Sequence, residues 1–408
     1  MAASQKPLSG IRVTDFTWIG AGAYTTKILG DYGADVVKIE SSSRLDALRM
    51  SAPYKDKIKG VNRSGYFADR NTSKRSITLN MKDPRAVGLV RRLISKSDIV
   101  ANNFTPDVMP KFGLDYEAVR AIRPDIIYLA MSMQGASGPE SRYLGYGASM
   151  AALTGLQHLI GEPDREPIGT GTNYPDHIPN PCHAAFAVLA ALRHRRISGE
   201  GQYLDLAQTE PTVALLGPTM LDLTVNGSEQ RAVGNAHPQY SPHGVYPCVG
   251  DDRWIAICIK NDEQWGNLVK VLGDPKWAQD IRWNTTCERL TNRDLLDQGL
   301  ASSTKEEVAE KLMHALQSQG VPAGVVQNAE DVVNLDPQLA HREHWIKLNH
   351  PEMGWTIYNA SPFRSAEMPS APKRPAPLLG QHTKEVCFEL LGLNAEEIAE
   401  LTRDGVLA

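Results

Sequence analysis

The chain of 408 residues has 42% hydrophobic and 22% charged residues, a composition that is typical of a folded globular protein and excludes a disordered or fibrous one. Its 43 lysines and arginines against 47 aspartates and glutamates give a net charge of −4, so no basic excess indicates a nucleic-acid partner. Because domains usually have about 100–200 residues, the length predicts two domains or one large domain with an insertion.

No apolar run approaches the roughly 20 residues that a membrane-spanning helix needs, and the N-terminal residues lack the hydrophobic core of a signal peptide. The cysteines are Cys182, Cys248, Cys258, Cys287 and Cys387. An odd number of cysteines without a CxxC spacing favours reduced thiols. We therefore predict a cytoplasmic protein with no membrane partner.

The N-terminal half alternates strand patterns with helix patterns. Strands are predicted at Ile11–Thr17, Asp35–Glu40, Ile77–Leu79, Asp98–Phe104, Asp125–Met133 and Tyr203–Leu206, with helices up to Leu29 and over Pro84–Lys96 and Tyr116–Ile122. Strands separated by helices predict βαβ units and an α/β fold with a mostly parallel sheet. Because such sheets bind ligands at the carboxyl ends of their strands, we expect the site at the loops that follow them. These loops come after Thr17, Glu40, Phe104 and Met133.

The remainder of the chain contains predicted helices, then a predicted linker, and then a region of mixed short strands and helices. Helices are predicted at Tyr146–Gly161, His183–Arg196 and Pro211–Val225, before a stretch rich in Gly, Pro and His, Gly227–Pro247, that resembles a linker. Residues 243–330 then combine short strands with helices and predict a compact α+β insertion. We therefore predict a large domain formed by residues 1–225 and 336–408, and a smaller domain with its linkers over residues 226–335.

Three candidate chemistries find weak support in the residues. Gly20-Ala-Gly22-Ala-Tyr-Thr25 follows a strand as a dinucleotide-binding loop does, but Thr25 replaces the third glycine, and the same glycines can form a tight turn without a cofactor. Histidines and a cysteine lie close in sequence at His177, Cys182 and His183, and at His341 and His344, without a common zinc spacing, so no metal is predicted. Cys182 has no identifiable partner base that would activate it as a nucleophile.

A fourth candidate is Asp176, in a segment of polar residues and prolines directly before a strongly apolar helix. An aspartate at this position can be a structural helix cap or turn residue, and spacing alone favours that interpretation. The alternative is a carboxylate held ionised in a rigid loop at a helix N-terminus, where it could act as a covalent nucleophile.

Short motifs along nearly the whole chain resemble the class III CoA-transferase family, which includes formyl-CoA, crotonobetaine and benzylsuccinate CoA-transferases, with α-methylacyl-CoA racemase as a relative. The motifs are Pro7-Leu-Ser-Gly-Ile-Arg-Val-Thr-Asp-Phe-Thr17, Gly33-Ala-Asp-Val-Val-Lys-Ile-Glu40, Lys74-Arg-Ser-Ile-Thr-Leu-Asn-Met-Lys82, Lys111-Phe-Gly-Leu114, Ala190-Ala-Leu-Arg-His-Arg-Arg-Ile-Ser-Gly-Glu-Gly-Gln202 and Pro377-Leu-Leu-Gly-Gln-His382. The resemblance implies a Rossmann-like large domain from both chain ends, a smaller inserted domain, and two subunits interlocked as a dimer. The partner would be an identical chain or a homologous one in a heterodimer or heterotetramer.

The resemblance also implies the site residues. The family nucleophile is an aspartate before the Ala-Ala-Leu helix and falls on Asp176, with one residue more between it and the helix than in formyl-CoA transferase. No cofactor would be permanently bound, since a CoA thioester is the substrate and an organic acid the acceptor. The CoA contacts implied by position are Leu79, Asn80, Met81, Lys82, Asn103, Phe104 and Lys111.

Two departures from the family pattern indicate which carboxylic acid the protein would use as substrate. Gly20 stands where formyl-CoA transferase has a glutamine after the first strand, which leaves room for a bulkier acyl group and argues against formyl or oxalyl substrates. The segment His237–Tyr246 replaces the glycine-rich loop that covers the nucleophile. We expect a medium-sized aromatic or dicarboxylic acid and succinyl-CoA as donor. The expected substrate pocket consists of Gly20, Tyr146, Tyr174, His177 and His243.

Two alternatives stay open at the level of sequence. A racemase of this family would use a histidine that is Tyr146 here, which weakens a two-base mechanism. A scaffold subunit of a hetero-oligomeric transferase would leave Asp176 without a catalytic role.

Overall fold

A computed structural model describes residues 6–365, 367–368 and 371–408. The prediction that the N-terminus has no signal peptide concerns residues 1–5 in part, and these lie outside the described residues. The chain divides into two compact units. The larger unit contains the chain up to Gln157, Gly169–Glu229 and Gln338–Ala408, and the smaller one contains His158–Ile168 and Gln230–Pro337. The segment His158–Ile168 was not expected in the smaller unit, and the predicted domain boundaries at 225 and 335 stay predictions.

Eleven strands form three sheets within the described residues. They are β1 (Arg12–Asp15), β2 (Asp35–Glu40), β3 (Lys74–Thr78), β4 (Ile99–Asn102), β5 (Ile127–Ala130), β6 (Gln202–Asp205), β7 (His243–Pro247), β8 (Trp254–Cys258), β9 (Ala323–Val325), β10 (Trp345–His350) and β11 (Gly354–Asn359). The six predicted N-terminal strands are all present. The structure shortens β1, β4 and β5, because only their central residues take part in the ladder, and it starts β3 three residues before the predicted strand.

The helices that flank the strands are mostly short. They are α1 (Ala21–Asp31), α2 (Gly65–Arg70), α3 (Pro84–Ile94), α4 (Val108–Lys111), α5 (Tyr116–Ile122), α6 (Gly147–Leu153), α7 (Tyr174–His177), α8 (Pro179–Ser198), α9 (Thr209–Ala214), α10 (Gly217–Asn226), α11 (Asp262–Val271), α12 (Thr286–Thr291), α13 (Arg293–Thr304), α14 (Ala309–Ser318), α15 (Pro337–His341), α16 (Thr383–Glu389) and α17 (Ala395–Arg403). Single 3-10 turns lie at Ala47–Met50, Lys55–Lys57, Gln157–Leu159, Lys276–Gln279 and Ile281–Trp283, and a π-helical turn at Asp331–Leu335.

The large unit contains the expected α/β sheet. Six parallel strands lie in the order β3-β2-β1-β4-β5-β6, the order of a doubly wound nucleotide-binding sheet. Alternate residues of β2 face opposite cores: Val37 and Ile39 pack with Leu93 of α3, whereas Val36 packs with Leu29 of α1 and Val188 of α8. Because helices cover both faces of the sheet, successive residues of strands such as β2 and β4 are buried on both faces.

Three sequence predictions differ from the observed elements. The helix expected over Tyr146–Gly161 ends at Leu153, and the helix expected over Pro211–Val225 is two helices that meet near Leu215. Helix α8 starts at Pro179, four residues before the predicted start, because the first turn of a helix tolerates proline. The residue that follows its last turn is Gly199, whose φ of 77° suits a glycine after a helix.

The smaller unit has an antiparallel sheet in the order β7-β8-β9. Helices α11, α13 and α14 cover it with a core that includes Trp265, Leu268, Leu300 and Leu312. Strand β7 falls within the predicted linker Gly227–Pro247, which is therefore wrong for its last five residues. The linker prediction missed that these residues pair with β8 further along the chain.

The C-terminal part of the large unit adds the hairpin β10-β11 before α16 and α17. Leu391 and Ile398 pack in the same core as Val37 of the sheet. Over the residues that the structure describes, no helix combines the length and the apolar character needed to cross a membrane.

Candidate active site

Asp176 is a buried carboxylate in a single helical turn. It lies in α7, is 4% exposed, and its N–H donates to the carbonyl oxygen of Asn173 at 2.9 Å. The sequence predicts a rigid loop here; the structure has one turn of helix, which Pro175 can enter because it needs no donor. The Oδ2 atom of Asp176 accepts a hydrogen bond of 3.1 Å from the N–H of Gly147, the first residue of α6.

Burial raises the pKa of Asp176 to about 6, and the hydrogen bond from Gly147 and the positive charge of Arg70 act against this rise. The carboxylate is therefore mostly ionised at neutral pH, although it is poorly solvated. A carboxylate with few water contacts is a stronger nucleophile than one on the surface. The role of Asp176 as a nucleophile stays a prediction.

Two glycines allow the backbone to approach this carboxylate. A Cβ atom on Gly20 would lie 2.6 Å from the Cγ of Asp176, and one on Gly147 would lie 2.9 Å from its Oδ2. Side chains do not tolerate such distances. Gly20 ends the loop between β1 and α1, so the glycine-rich turn seen in the sequence serves to make room for Asp176.

Side chains hold the backbone of the loop after β1 at successive residues. The Asn103 amide accepts from the N–H of Trp18 at 2.8 Å and donates to the carbonyl oxygen of Trp18 at 2.7 Å. The Oδ1 of Asp46 accepts from the N–H of Ile19 at 3.2 Å. Ile19 has a φ of 58°, which is strained for a β-branched residue and persists only where its surroundings impose it.

A network of fully buried charges lies beneath this loop. Lys38 pairs with Asp46 at 3.1 Å and donates to the carbonyl oxygen of Thr17 at 2.5 Å, and Lys74 pairs with Asp15 at 3.1 Å. Burial acts to raise the pKa of Asp15, but the charges of Lys74 and Lys38 outweigh it and hold the pKa below its usual value. Burial lowers the pKa of Lys74 to about 8. The pairing compensates the cost of removing these charges from water.

A pocket of about 280 Å³ opens at the carboxyl ends of the strands, beside Asp176. Most of its lining comes from the loops after β1, β2, β4 and β5, which are the loops expected to surround the site. The lining residues are Trp18, Ile19, Gly20, Ala21, Arg44, Asn103, Phe104, Thr105, Val108, Met133, Tyr143, Leu144, Gly145, Tyr146, Asp176 and Gln208. We call this the Asp176 pocket.

A second cavity of about 440 Å³ brings together three of the residues expected to contact CoA, Met81, Lys82 and Lys111. Arg91, which the sequence did not single out, lines the same cavity. Lys111 is exposed and pairs with Asp107 at 2.8 Å. Three cationic side chains at one cavity have the chemistry to bind phosphate groups. We call this the basic cavity.

The other expected CoA contacts have different environments. Leu79 is buried in the sheet core, which leaves only its backbone for a ligand, and the Oδ1 of Asn80 accepts from the N–H of Lys82 at 3.2 Å. Phe104 lines the Asp176 pocket and stands edge-to-face on Trp18, with ring centroids 5.7 Å apart. All of these contacts stay predictions.

The residues expected in the substrate pocket do not all line the Asp176 pocket. Gly20 and Tyr146 line it, and Tyr174 and His177 lie on α7 outside the set of lining residues. The His177 ring contacts the hydroxyls of Tyr66 and Thr172, and burial lowers its pKa to about 4, so it is neutral at neutral pH.

His243 belongs to the smaller unit, where its Nδ1 lies 2.6 Å from the carbonyl oxygen of Asn235. Its expected role in the substrate pocket stays a prediction, as do the roles of Tyr174 and His177.

The weaker candidate chemistries find no supporting geometry. Glu40 ends β2, where a dinucleotide-binding fold has the carboxylate that binds the ribose, but both of its oxygens accept hydrogen bonds from the Arg49 guanidinium, at 2.8 and 2.7 Å. Burial raises the pKa of the Cys182 thiol, so this thiol is not activated. In the described ranges no three His, Cys, Asp or Glu side chains come close enough together to hold a metal ion.

Several residues of the site were missed from the sequence, among them Gly147, Trp18, Arg44 and Arg91. Gly147 stands in the Gly145-Tyr-Gly147 segment that was compared with the racemase histidine, and a second glycine there was a usable signal. The others have no local signal, because their place depends on which loops meet in three dimensions.

The chain is similar to known proteins over nearly its whole length. It is 33% identical to a succinate–glutarate CoA-transferase of Agrobacterium fabrum, covering 96% of this chain and 97% of that protein. It is 32% identical to a probable CoA-transferase of Mycobacterium tuberculosis over 98% of this chain, and spans only 50% of that longer protein. A crystal structure of a CaiB/BaiF family protein from Brucella suis superposes with a TM-score of 0.87 at 32% identity, covering 95% of this chain and 100% of that one.

These similarities agree with the geometry of the site. The model of CoA-transferase family III matches residues 8–383. This range includes the whole parallel sheet, Asp176 and the two cavities described above. The chain therefore belongs to CoA-transferase family III.

Proposed function

We propose that the protein transfers CoA from an acyl-CoA donor, succinyl-CoA, to a medium-sized aromatic or dicarboxylic acid, with Asp176 as the nucleophile. The observation that carries this proposal is the buried, mostly ionised carboxylate of Asp176 in the pocket at the carboxyl ends of the strands. The name of the succinate–glutarate relative supports the donor and the size of the acid. A CoA thioester is here a substrate rather than a bound cofactor.

The reaction proceeds by two exchanges on Asp176. Its carboxylate attacks the thioester carbonyl of the donor, a C–O bond forms, the C–S bond breaks, and CoA leaves as a thiolate from an acyl-aspartyl anhydride. The thiolate then attacks the aspartyl carbonyl, which releases the donor acid as its carboxylate and leaves an aspartyl-CoA thioester. One difficult exchange thus becomes easier steps.

The acceptor completes the cycle by the same chemistry. Its carboxylate attacks the aspartyl carbonyl, the thiolate leaves, and a second anhydride forms. The thiolate attacks the acyl carbon of the acceptor, which gives the new acyl-CoA and restores the Asp176 carboxylate. The anhydride must be kept from water, and the 4% exposure of Asp176 supports this requirement.

The backbone around Asp176 has donors suited to this path. The N–H of Gly147 already binds Oδ2, and it can stabilise the oxygen that becomes negative when the aspartyl carbonyl is attacked. The basic cavity has cations suited to the phosphates of CoA. We propose Leu79, Asn80, Met81, Lys82, Asn103, Phe104 and Lys111 as CoA contacts.

We also propose a two-domain subunit that works in an interlocked dimer, with an identical chain or a homologous subunit as partner. An exposed apolar face on α8 supports a partner chain. On this helix Phe186 is 74% exposed and Leu189 is 46% exposed. Apolar surface of this kind usually becomes buried in a protein interface.

Covalent trapping tests the function. The purified protein is incubated with succinyl-, acetyl- and aromatic acyl-CoA donors, treated with borohydride, and digested for mass spectrometry of the Asp176 peptide. Reduction of the aspartyl-CoA thioester would convert Asp176 to a homoserine residue. Asp176→Asn is expected to lose transfer activity by about 10³-fold or more and to give no reduced product.

The trapping also separates the alternatives. An unmodified Asp176 with every donor, together with exchange of the acyl α-proton in deuterium oxide, would indicate a racemase and overturn the transferase. An unmodified Asp176 that becomes modified only after a homologous subunit is added would indicate a hetero-oligomer. Tyr146 stands where a racemase of this family would have its histidine base, and this difference favours transfer over racemisation.

A further inference from the structure

The Asp176 pocket has a simple charge pattern. Among the described residues that line it, Asp176 and Arg44 are the two with a formal charge at neutral pH. Apolar side chains make up much of the wall between the loops, among them Ile19, Val108 and Met133. The pocket therefore combines one nucleophilic carboxylate, one cation and an apolar lining.

Arg44 is exposed. Its guanidinium lies 5.4 Å from the centre of the Trp18 ring, a cation–π contact that orients the side chain and leaves its charge free. Across the described ranges no carboxylate lies within ion-pair distance of Arg44. The guanidinium of Arg49, five residues further along the chain, is by contrast fully buried and forms an ion pair with Glu40.

We propose that Arg44 binds the far carboxylate of a dicarboxylic acid whose near carboxylate reacts at Asp176. This inference rests on the proposed function and narrows its substrate class from aromatic or dicarboxylic acids to dicarboxylic ones. A guanidinium presents paired N–H donors that match the two oxygens of a carboxylate. The apolar wall suits the methylene groups between the two carboxylates.

The phosphates of CoA are the other anions that could reach a cation near this site. Lys82, Arg91 and Lys111 line the basic cavity, which shares no lining residue with the Asp176 pocket. The phosphates therefore have cations of their own. Arg44 shares its pocket with the nucleophile, and this location assigns it to the acid.

The test compares two acceptors of equal chain length, glutarate and pentanoate, which differ in the far carboxylate. Wild-type protein is expected to prefer glutarate in kcat/KM. Arg44→Gln should lower that preference about 10- to 100-fold, as expected for the loss of a charge-assisted hydrogen bond. Arg44→Lys keeps the charge and should retain an intermediate preference. Arg120→Gln, an exposed arginine on α5 that lines neither cavity, is the matched control and should leave the preference unchanged.

The outcomes separate this inference from the proposed function. A fall in the glutarate preference of Arg44→Gln, with an unchanged KM for acetyl-CoA, a donor that has no far carboxylate, supports the role in acid binding. A raised KM for the donor with an unchanged preference would assign Arg44 to a CoA phosphate and overturn the inference. Thioester formation on Asp176, measured by trapping in the same variant, reports on the transferase reaction independently of the acceptor. Its absence in the wild type would contradict the proposed function instead.

Discussion

The N–H of Gly147 lies 3.1 Å from the Oδ2 atom of Asp176, and a Cβ atom on Gly147 would lie 2.9 Å from the same oxygen, so this contact requires a glycine. The two are 29 positions apart in the chain and meet because α6 and α7 pack together. A carboxylate that is nearly buried needs such a donor, since water no longer supplies its hydrogen bonds. The hydrogen bond therefore engages Oδ2 and leaves Oδ1 as the oxygen that would attack the thioester in the proposed reaction.

Substitution of Gly20 tests the close approach to Asp176. A Cβ atom at Gly20 would lie 2.6 Å from the Cγ of Asp176, so Gly20→Ala must move the Asp176 side chain. We expect kcat to fall about 10²-fold, the effect of a displacement of about 1 Å at a reacting group. Gly266→Ala on α11 is the control, because a Cβ atom at that position would have nothing within 4 Å. Steady-state kinetics of both variants would decide, and equal activities would refute the close contact.

The pH profile of the first half-reaction reports the ionisation of Asp176. Because the nucleophile must be ionised and its pKa is raised to about 6, kcat/KM should fall tenfold per pH unit below pH 6. The donor should be an acyl-pantetheine, which has no phosphate that titrates in this range. A profile that stays flat down to pH 4.5 would mean that Asp176 is better solvated than its burial indicates.

Stability should respond to pH in the direction opposite to that of an ordinary salt-bridged aspartate. A carboxyl group whose pKa is higher in the folded than in the unfolded state stabilises the fold below its unfolded pKa, and this contribution disappears as the pH rises through about 6. Asp176→Asn should therefore gain up to about 3 kcal/mol over the wild type between pH 4 and pH 7. Urea unfolding at both pH values measures the gain, and a constant difference would be evidence against it.

The buried charges beneath the loop after β1 should be coupled. Lys38→Met leaves the Asp46 carboxylate buried without its cation, and we expect a loss of about 3–5 kcal/mol in the free energy of unfolding. Lys38→Met combined with Asp46→Asn removes both charges and should recover part of this loss. Urea unfolding of the variants gives the coupling energy, and Arg282→Met, which breaks an exposed pair with Asp280, should cost far less. Additive losses in the double variant would show that the pair is not coupled.

Sequence patterns predicted the α/β class, the parallel strands and the edge of the sheet at which the pocket lies. Strand β2 and helix α5 have the predicted bounds, and the predicted loops after β1, β2, β4 and β5 line the Asp176 pocket. These features follow from the spacing of apolar residues along the chain, which is a local property. The family resemblance singled out Asp176, which spacing alone favoured as a cap.

Only the tertiary structure decided how Asp176 is surrounded. The donor Gly147, the buried Lys38 beneath the loop, and the cation Arg44 come from segments far apart in the chain. Their effect depends on which groups lose water when the loops meet, and desolvation is a property of the packed whole rather than of any short segment. For the same reason the raised pKa of Asp176 could not be predicted from the neighbouring residues, and nothing in the sequence indicated that Arg44 would share a pocket with Asp176.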